Sequence, residues 1–144
     1  MTIVKQISVF LENKPGELKK FAAVLHAHHI DMRALSVAES QEFGVLRLIV
    51  DNVEKTSEIL KEEHYICAVT PVLAVEILDS PGGLNEVLDT VTENDINLEY
   101  MYAFTARKHG SAYMVFRVEN VEKVSEILVE NGLHLVGQDE IASL

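Results

Sequence analysis

At 144 residues the chain is long enough for one ordinary domain or two small ones, and with nearly half its residues apolar it has a globular, not a disordered, composition. Its formal net charge of −11 is uneven: residues 1–70 carry 8 Lys/Arg against 10 Asp/Glu, whereas residues 71–144 carry 4 against 13. Such a surface repels phosphate backbones, so nucleic acid is excluded as a direct partner, and no basic cluster with interleaved aromatics restores it.

The single cysteine, Cys67, rules out an internal disulfide and any Cys-x-x-Cys metal or redox site. It lies in the apolar run Tyr65-Ile66-Cys67-Ala68-Val69, where a buried, inert thiol is expected. No apolar leader precedes Lys5 and no stretch approaches a membrane span, which points to a cytoplasmic protein with no membrane partner.

In chain order, Ile3 to Leu11 is a strand with Ile7, Val9 and Leu11 on one face. Asn13-Lys14-Pro15-Gly16 turns the chain into a helix, with Pro15 suited to the first helical position. Leu18, Phe21, Ala22 and Leu25 then recur at helical spacing up to His28. Ile30 to Glu39 is a second strand, Ser40-Gln41-Glu42 a polar loop, and Val45 to Val50 a third strand. Asn52 caps a second helix with Val53, Thr56, Ile59 and Leu60 facing inward, and Tyr65 to Val69 is a fourth strand.

The order then recurs. Val72 to Leu78 is a strand, Leu84 to Thr92 a helix, Ile96 to Thr105 a strand, Ala106-Arg107-Lys108-His109-Gly110 a hairpin and Ala112 to Val118 a strand. Asn120 opens a helix using Val121, Val124, Ile127 and Leu128, Leu133 to Val136 closes the set, and Asp139 to Leu144 is a tail that either adds a turn or frays. The copies align residue by residue. Pro15/Pro81, Gly16/Gly82, Leu18/Leu84 and Ile30/Ile96 stand 66 apart, while Asn-Val-Glu-Lys at 52–55 and Ser-Glu-Ile-Leu at 57–60 recur 68 later. The two extra residues fall in the second hairpin, where length changes are tolerated.

Each copy is therefore a βαββαβ unit. The predicted fold is α+β: two ferredoxin-like sandwiches, antiparallel four-stranded sheets with helices on one face, at residues 1–69 and 70–144. Right-handed crossovers give strand order 4-1-3-2. Units of roughly 70 residues are marginal alone, and Val69-Thr70-Pro71-Val72 leaves almost no linker, so joined or paired sheets are expected to supply the missing burial.

The strand–x-x-Pro-Gly-x-Leu–helix arrangement, the second strands opening Ile30-Asp31-Met32 and Ile96-Asn97-Leu98, and the duplicated βαββαβ order resemble two tandem ACT domains over nearly the whole chain. The resemblance implies a regulatory module that binds a small ligand, most often an amino acid, where two such domains meet. With no catalytic domain attached, it resembles the stand-alone tandem members, amino-acid sensors or partners of other proteins. It also implies a homodimer and adds Asp31, Met32, Asn97 and Leu98 as the wall contributed by a neighbouring domain.

The chemistry is sensible without the family. A ligand carboxylate suits the free N–H groups at a helix start, so the candidate ligand-binding stretches are Asn13, Lys14, Pro15, Gly16, Glu17, Leu18 and Asp79, Ser80, Pro81, Gly82, Gly83, Leu84. Gly16 or Gly82 lets the ligand approach the backbone, and Asn13 or Asp79 accepts from its ammonium. Lys14 is a poor cap that instead attracts an acidic ligand group, whereas Ser80 offers a capping hydroxyl, which favours the second turn. The structural alternative is that both turns only start helices.

His26 and His29 stand one helical turn apart, but a solvated helix end is the simpler reading than a metal site, and no metal or cofactor is expected. Ser8, Ser36 and Ser111 lack a nucleophile-elbow context, and no phosphate-cradling Gly-x-Gly-x-x-Gly is present, so no catalytic residues are assigned and a non-enzyme is expected. Two functions compete: an amino-acid sensor regulating amino-acid metabolism, and a ligand-free interaction module docking on a metabolic enzyme.

Overall fold

The computed structural model describes every residue except Met1, Ser40, Gln41, Thr105 and Arg107. Parts of the polar loop at 40–42, of the strand ending at 105 and of the hairpin at 106–110 thus lie outside the described residues. Among those described there are seven strands and five helices. The chain divides into two compact units, Lys5–Thr70, and Pro71–Leu144 together with the residues before Lys5.

The first unit contains β1 (Val4–Glu12), α1 (Glu17–Ala27), β2 (Met32–Glu39), β3 (Phe43–Val50), α2 (Val53–Glu62) and the start of β4 (Ile66–Leu78). Its strand order is β2-β3-β1-β4, with β3 antiparallel to both β1 and β2. Period-2 alternation places Ile7, Val9 and Leu11 of β1 with Leu46, Leu48 and Val50 of β3 on the helix side. Phe21 and Leu25 of α1 and Val53, Ile59 and Leu60 of α2 close over them. Full burial of one such side chain is worth about 1.5–3 kcal/mol, so this stripe-on-face match decides which way the helices lie.

The second unit repeats the plan with the rest of β4, α3 (Gly83–Glu93), β5 (Tyr100–Phe104), β6 (Ser111–Arg117), α4 (Val121–Glu130) and β7 (His134–Leu135), and ends in α5 (Gln138–Ser143). Its order is β5-β6-β4-β7, all antiparallel. Leu73, Val75, Met114, Phe116 and Leu135 form the sheet side of the core, and Val87, Val91, Val124 and Leu128 the helix side. The copies also share register: Leu11 opposes Gly44 and Glu12 opposes Phe43, while Ile77 opposes Ala112 and Leu78 opposes Ser111, the same pairs displaced by 66 and 68.

Two local expectations change, and a third is settled between its alternatives. The strands expected either side of Pro71 are one strand, β4, of 13 residues; proline's φ is compatible with extended backbone, and only its N–H is lost. The strand expected from Ile96 begins at Tyr100, leaving Asn97 and Leu98 in an irregular segment, and that expected from Ile30 begins at Met32. The tail forms helix α5, with Ile141 fully buried.

Helices α1 to α4 end identically. The second residue past each last helical one has positive φ (His29 55°, His64 65°, Asp95 53°, Gly132 82°). The residue after it donates its N–H back to the last turn, as in Ile30 to Leu25 and Tyr65 to Leu60, and likewise Ile96 to Val91 and Leu133 to Leu128. These are Schellman motifs with an apolar residue tucked under each helix end.

Candidate functional site

Both Pro-Gly turns are type II turns set just before their helices. Gly16 has φ 88° and Gly82 φ 93°, each at the N-cap. The Glu17 N–H donates to the Lys14 carbonyl at 3.4 Å, and the Gly83 N–H to the Ser80 carbonyl at 3.0 Å. Proline at the second turn position and a positive-φ glycine at the third are what this turn selects. Pro15 and Pro81 are therefore not the first helical residues, because the helix starts only after the left-handed glycine. A Cβ built on Gly16 or Gly82 meets nothing within 4 Å, so backbone conformation, not steric room, fixes these glycines.

The flanking side chains divide unevenly between structural and available roles. In the first copy the Asn13 amide donates to Glu39 at 3.4 Å, and the Lys14 ammonium lies 2.9 Å from Glu12 and 3.7 Å from Glu17. That pairing holds the Glu12 carboxyl below its usual range and raises Lys14. Lys14 thus has intramolecular carboxylates for the role expected of a ligand acid. In the second copy Ser80 does not cap α3: its carbonyl closes the turn and the cap carries no side-chain hydrogen bond. Asp79 is exposed, with its N–H donated to the Gly110 carbonyl.

The starts of the second strands also differ. In the first unit the Asp31 N–H donates to Asp51 Oδ1 at 3.2 Å, the Asp51 N–H returns to the Asp31 carbonyl at 3.1 Å, and Arg33 holds Asp31 Oδ2 at 2.8 Å. Met32 opens β2 beside Val50. Across the same end the Lys55 ammonium donates to the His28 carbonyl at 2.9 Å. In the second unit Asn97 instead lines an open cavity of about 610 Å³ with Asn94, Asn120 and Lys123, and Leu98 packs on the core.

Gly83 differs from Gly82 in kind. A Cβ there would overlap the Leu78 carbonyl, so α3 starts hard against the end of β4. Beside it is a cavity of about 330 Å³ that Ile77, Val87 and Leu133 also line, together with the more polar Glu76, Glu86 and His134. The repeat explains why it is there. Where the first copy has Glu17, Phe21 and Tyr65, the second has Gly83, Val87 and Leu133. In the first unit Phe21 and Tyr65 meet edge to face at 5.4 Å, and the mostly covered Glu17 lies near enough to raise the Tyr65 phenol, after burial as the main cause. Three large-to-small differences leave the second unit an opening that the first fills.

The charges around the opening differ too. Glu76, Ser111 and His134 replace Phe10, Phe43 and Ile66. Glu76 Oε1 accepts from Lys108 Nζ and from Ser111 Oγ, each at 2.7 Å, and these two bonds hold its carboxyl below the usual range against the opposing effect of burial. His134 Nε2 stands 3.8 Å from Glu76 and 3.1 Å from Glu140. Tyr113, opposite Glu76 in the ladder of β4 and β6, is almost fully buried and stacks on Phe104 at 5.2 Å; burial first, then the Glu76 charge, raises its phenol.

Of the residues singled out from sequence, then, Gly83 lines the smaller cavity and Asn97 the larger, at opposite ends of the second unit. Glu76, Glu86, Leu133 and His134 were not singled out. The signal that finds them is the difference between the two copies, not their likeness. Among the described residues no three His, Cys, Asp or Glu side chains are grouped to hold a metal ion, and no helix is long and apolar enough to cross a membrane.

Two βαββαβ sandwiches of one register, each with a type II Pro-Gly turn between its first strand and first helix, define a duplicated ferredoxin-like α+β module. The chain matches the ACT domain pair family over residues 1–144 and belongs to it, a family of regulatory modules. A crystal structure of protein BT0572 from Bacteroides thetaiotaomicron is similar at TM-score 0.92 and 34% identity, covering 99% of this chain and 98% of that one. The regulatory subunit of aspartate kinase from Thermus thermophilus, in ligand-free form, is similar in fold at TM-score 0.62 and 14% identity, over 91% of this chain and 97% of that one. Its counterpart from Thermus flavus gives 0.60 and 12%, over 91% and 94%. No curated protein matches the chain.

Proposed function

We propose that the protein is a non-enzymatic sensor of a free amino acid, acting in the cytoplasm as a homodimer and regulating amino-acid metabolism. The observation that carries this reading is the cavity beside the second Pro-Gly turn, opened where Gly83, Val87 and Leu133 replace Glu17, Phe21 and Tyr65. In this reading the ligand carboxylate takes free N–H groups at the start of α3, where Gly83 lines the cavity, and its side chain the apolar wall of Ile77, Val87 and Leu133. A second ACT domain placed over the turn would enclose the ligand, with strand-start residues such as Asp31-Met32 or Asn97-Leu98 as its wall. Regulatory subunits of aspartate kinase among the structural neighbours are consistent with such a role.

A thermal-shift panel of the twenty amino acids at millimolar concentration tests the reading. A ligand at a hundred times its dissociation constant stabilises by about 2.7 kcal/mol, well within detection. No response from any amino acid overturns it. Val87→Phe, which restores the first-unit residue, is expected to abolish the response while the protein stays folded. Gly82→Val is a poor test, because φ 93° makes it a turn-breaking substitution first.

One observation favours the second reading, a ligand-free module that docks on a metabolic enzyme. Phe10, Phe43 and Ile66, at the positions of the Glu76 cluster, are 47%, 53% and 72% exposed in the first unit. That reading requires a partner that binds equally well to the wild type and to Val87→Phe.

A further inference from the structure

We propose that the cavity beside Gly83 selects a small organic cation, a ligand whose ammonium or guanidinium group is carried on an apolar stem, with Glu76 and Glu86 as the specificity-determining residues. This rests on the reading that the second turn is the ligand end of the molecule, and it names the chemical class taken there.

The cavity's size comes first. At about 330 Å³ it sits at the lower end of small-molecule sites, and its apolar residues Ile77, Leu78, Val87 and Leu133 suit a short aliphatic stem. Its charges then decide the head group. Glu76 and Glu86 both line it, and among the described residues that line it there is no lysine or arginine. The first unit has Lys20 where Glu86 stands and Phe10 where Glu76 stands, so the copies differ at this place by a reversal of charge and by a gain of charge.

The two carboxylates are not equivalent. Glu86 has no hydrogen-bond or ion-pair partner for its side chain among the described residues, so its charge is free for a ligand at the mouth. Glu76 is partly neutralised: Lys108 and Ser111 both use Oε1, and among the described residues Oε2 has only His134 Nε2 near it, at 3.8 Å. Beyond the rim, Glu140 adjoins His134 at 3.1 Å, which adds to the negative field. A carboxylate-bearing stem entering this space would meet Glu86, which no cation offsets, whereas an ammonium or guanidinium gains a charge-assisted bond there, with the remaining oxygen of Glu76 beside it.

The test is titration calorimetry of the full chain with L-arginine, L-leucine, L-glutamate and 1,5-diaminopentane. The expected result is L-arginine binding at least about fivefold tighter than L-leucine, with L-glutamate weakest of all and affinity for the cation falling as salt rises. Glu86→Gln is expected to weaken L-arginine by about fivefold while leaving L-leucine unchanged. If L-leucine or L-glutamate binds as tightly as L-arginine, or Glu86→Gln changes nothing, the assignment of a cationic ligand is overturned while the amino-acid sensor stands. If 1,5-diaminopentane binds and no amino acid does, the cation assignment holds and the amino-acid reading falls. If nothing binds, both fall. Val87→Phe closes the cavity without touching either carboxylate; retention of L-arginine binding by that variant would place the cation elsewhere and overturn the proposal.

Discussion

The Lys108 ammonium, from the connection between β5 and β6, and the Ser111 hydroxyl, from the first residue of β6, converge on one oxygen of Glu76, each at 2.7 Å. Glu76 is the carboxylate most enclosed by this network, with a side chain only 16% exposed. Its carboxyl is held below the usual value, chiefly by the Lys108 bond and then by the Ser111 bond. A group whose folded value is depressed contributes stability that is present above its unfolded value, about 4.3, and is lost as pH falls through the folded one. The melting temperature is therefore expected to drop between about pH 5 and pH 3, and Glu76→Gln to flatten that limb while lowering stability at neutral pH. A melt series across this range checks it; identical acid limbs in the two proteins would remove Glu76 from the account.

Helix α2 ends on His64 at φ 65°, a left-handed conformation that costs a residue with a Cβ roughly 1–2 kcal/mol. The motif it serves, Tyr65 N–H to the Leu60 carbonyl, needs no side chain at this position. Helix α4 already has glycine, Gly132, at the equivalent place. His64→Gly is expected to stabilise by about 0.5–1 kcal/mol, the relief of strain less the added freedom of the unfolded chain. Urea unfolding reads this as a higher midpoint at unchanged slope.

The caps of the second helices repeat as closely as the sequence does. Asn52 Oδ1 accepts from the Lys55 N–H at 3.0 Å, and Asn120 Oδ1 from the Lys123 N–H at 3.1 Å. Replacement of either by alanine is expected to cost about 1 kcal/mol. The two copies are not identical in reserve, however. Thr56 Oγ1 donates to the Asn52 carbonyl at 2.7 Å, whereas Val124 has no donor at that position. The second-unit helix is thus expected to lose hydrogen-exchange protection at its first turn more completely in Asn120→Ala than the first-unit helix does in Asn52→Ala.

These caps, the helix stripes and the duplicated element order were legible in the sequence because each depends on local residue identity at fixed spacing. Ile7, Val9 and Leu11 fall on the core face as alternation requires, and Val53, Thr56, Ile59 and Leu60 are all buried. What was not legible depends on backbone φ or on missing side chains. Pro15-Gly16 reads equally as a helix start or as a type II turn until the positive φ of Gly16 separates them. Pro71 reads as a break between strands, yet β4 runs through it. The cavity beside Gly83 is a place where side chains are smaller than their counterparts, and periodicity carries no trace of that; only setting Gly83, Val87 and Leu133 against Glu17, Phe21 and Tyr65 exposes it.

Adjacent glycines at the second turn make the last prediction. Gly82 has φ 93° with open space where a Cβ would stand, so its alanine variant carries a backbone penalty alone, about 1–2 kcal/mol. Asparagine tolerates this region better, so Gly82→Asn is expected to recover part of the loss. Gly83 is already helical, and its restriction is contact: a Cβ would overlap the Leu78 carbonyl, a backbone atom that moves only if β4 and α3 separate. Gly83→Ala is therefore expected to cost more than Gly82→Ala, about 3 kcal/mol at the upper end for overpacking, and no polar residue rescues it. Chemical denaturation of the three variants distinguishes the two causes. Equal losses for Gly82→Ala and Gly83→Ala would mean that α3 yields readily, and the wall that Gly83 gives the cavity would then be pliable instead of fixed.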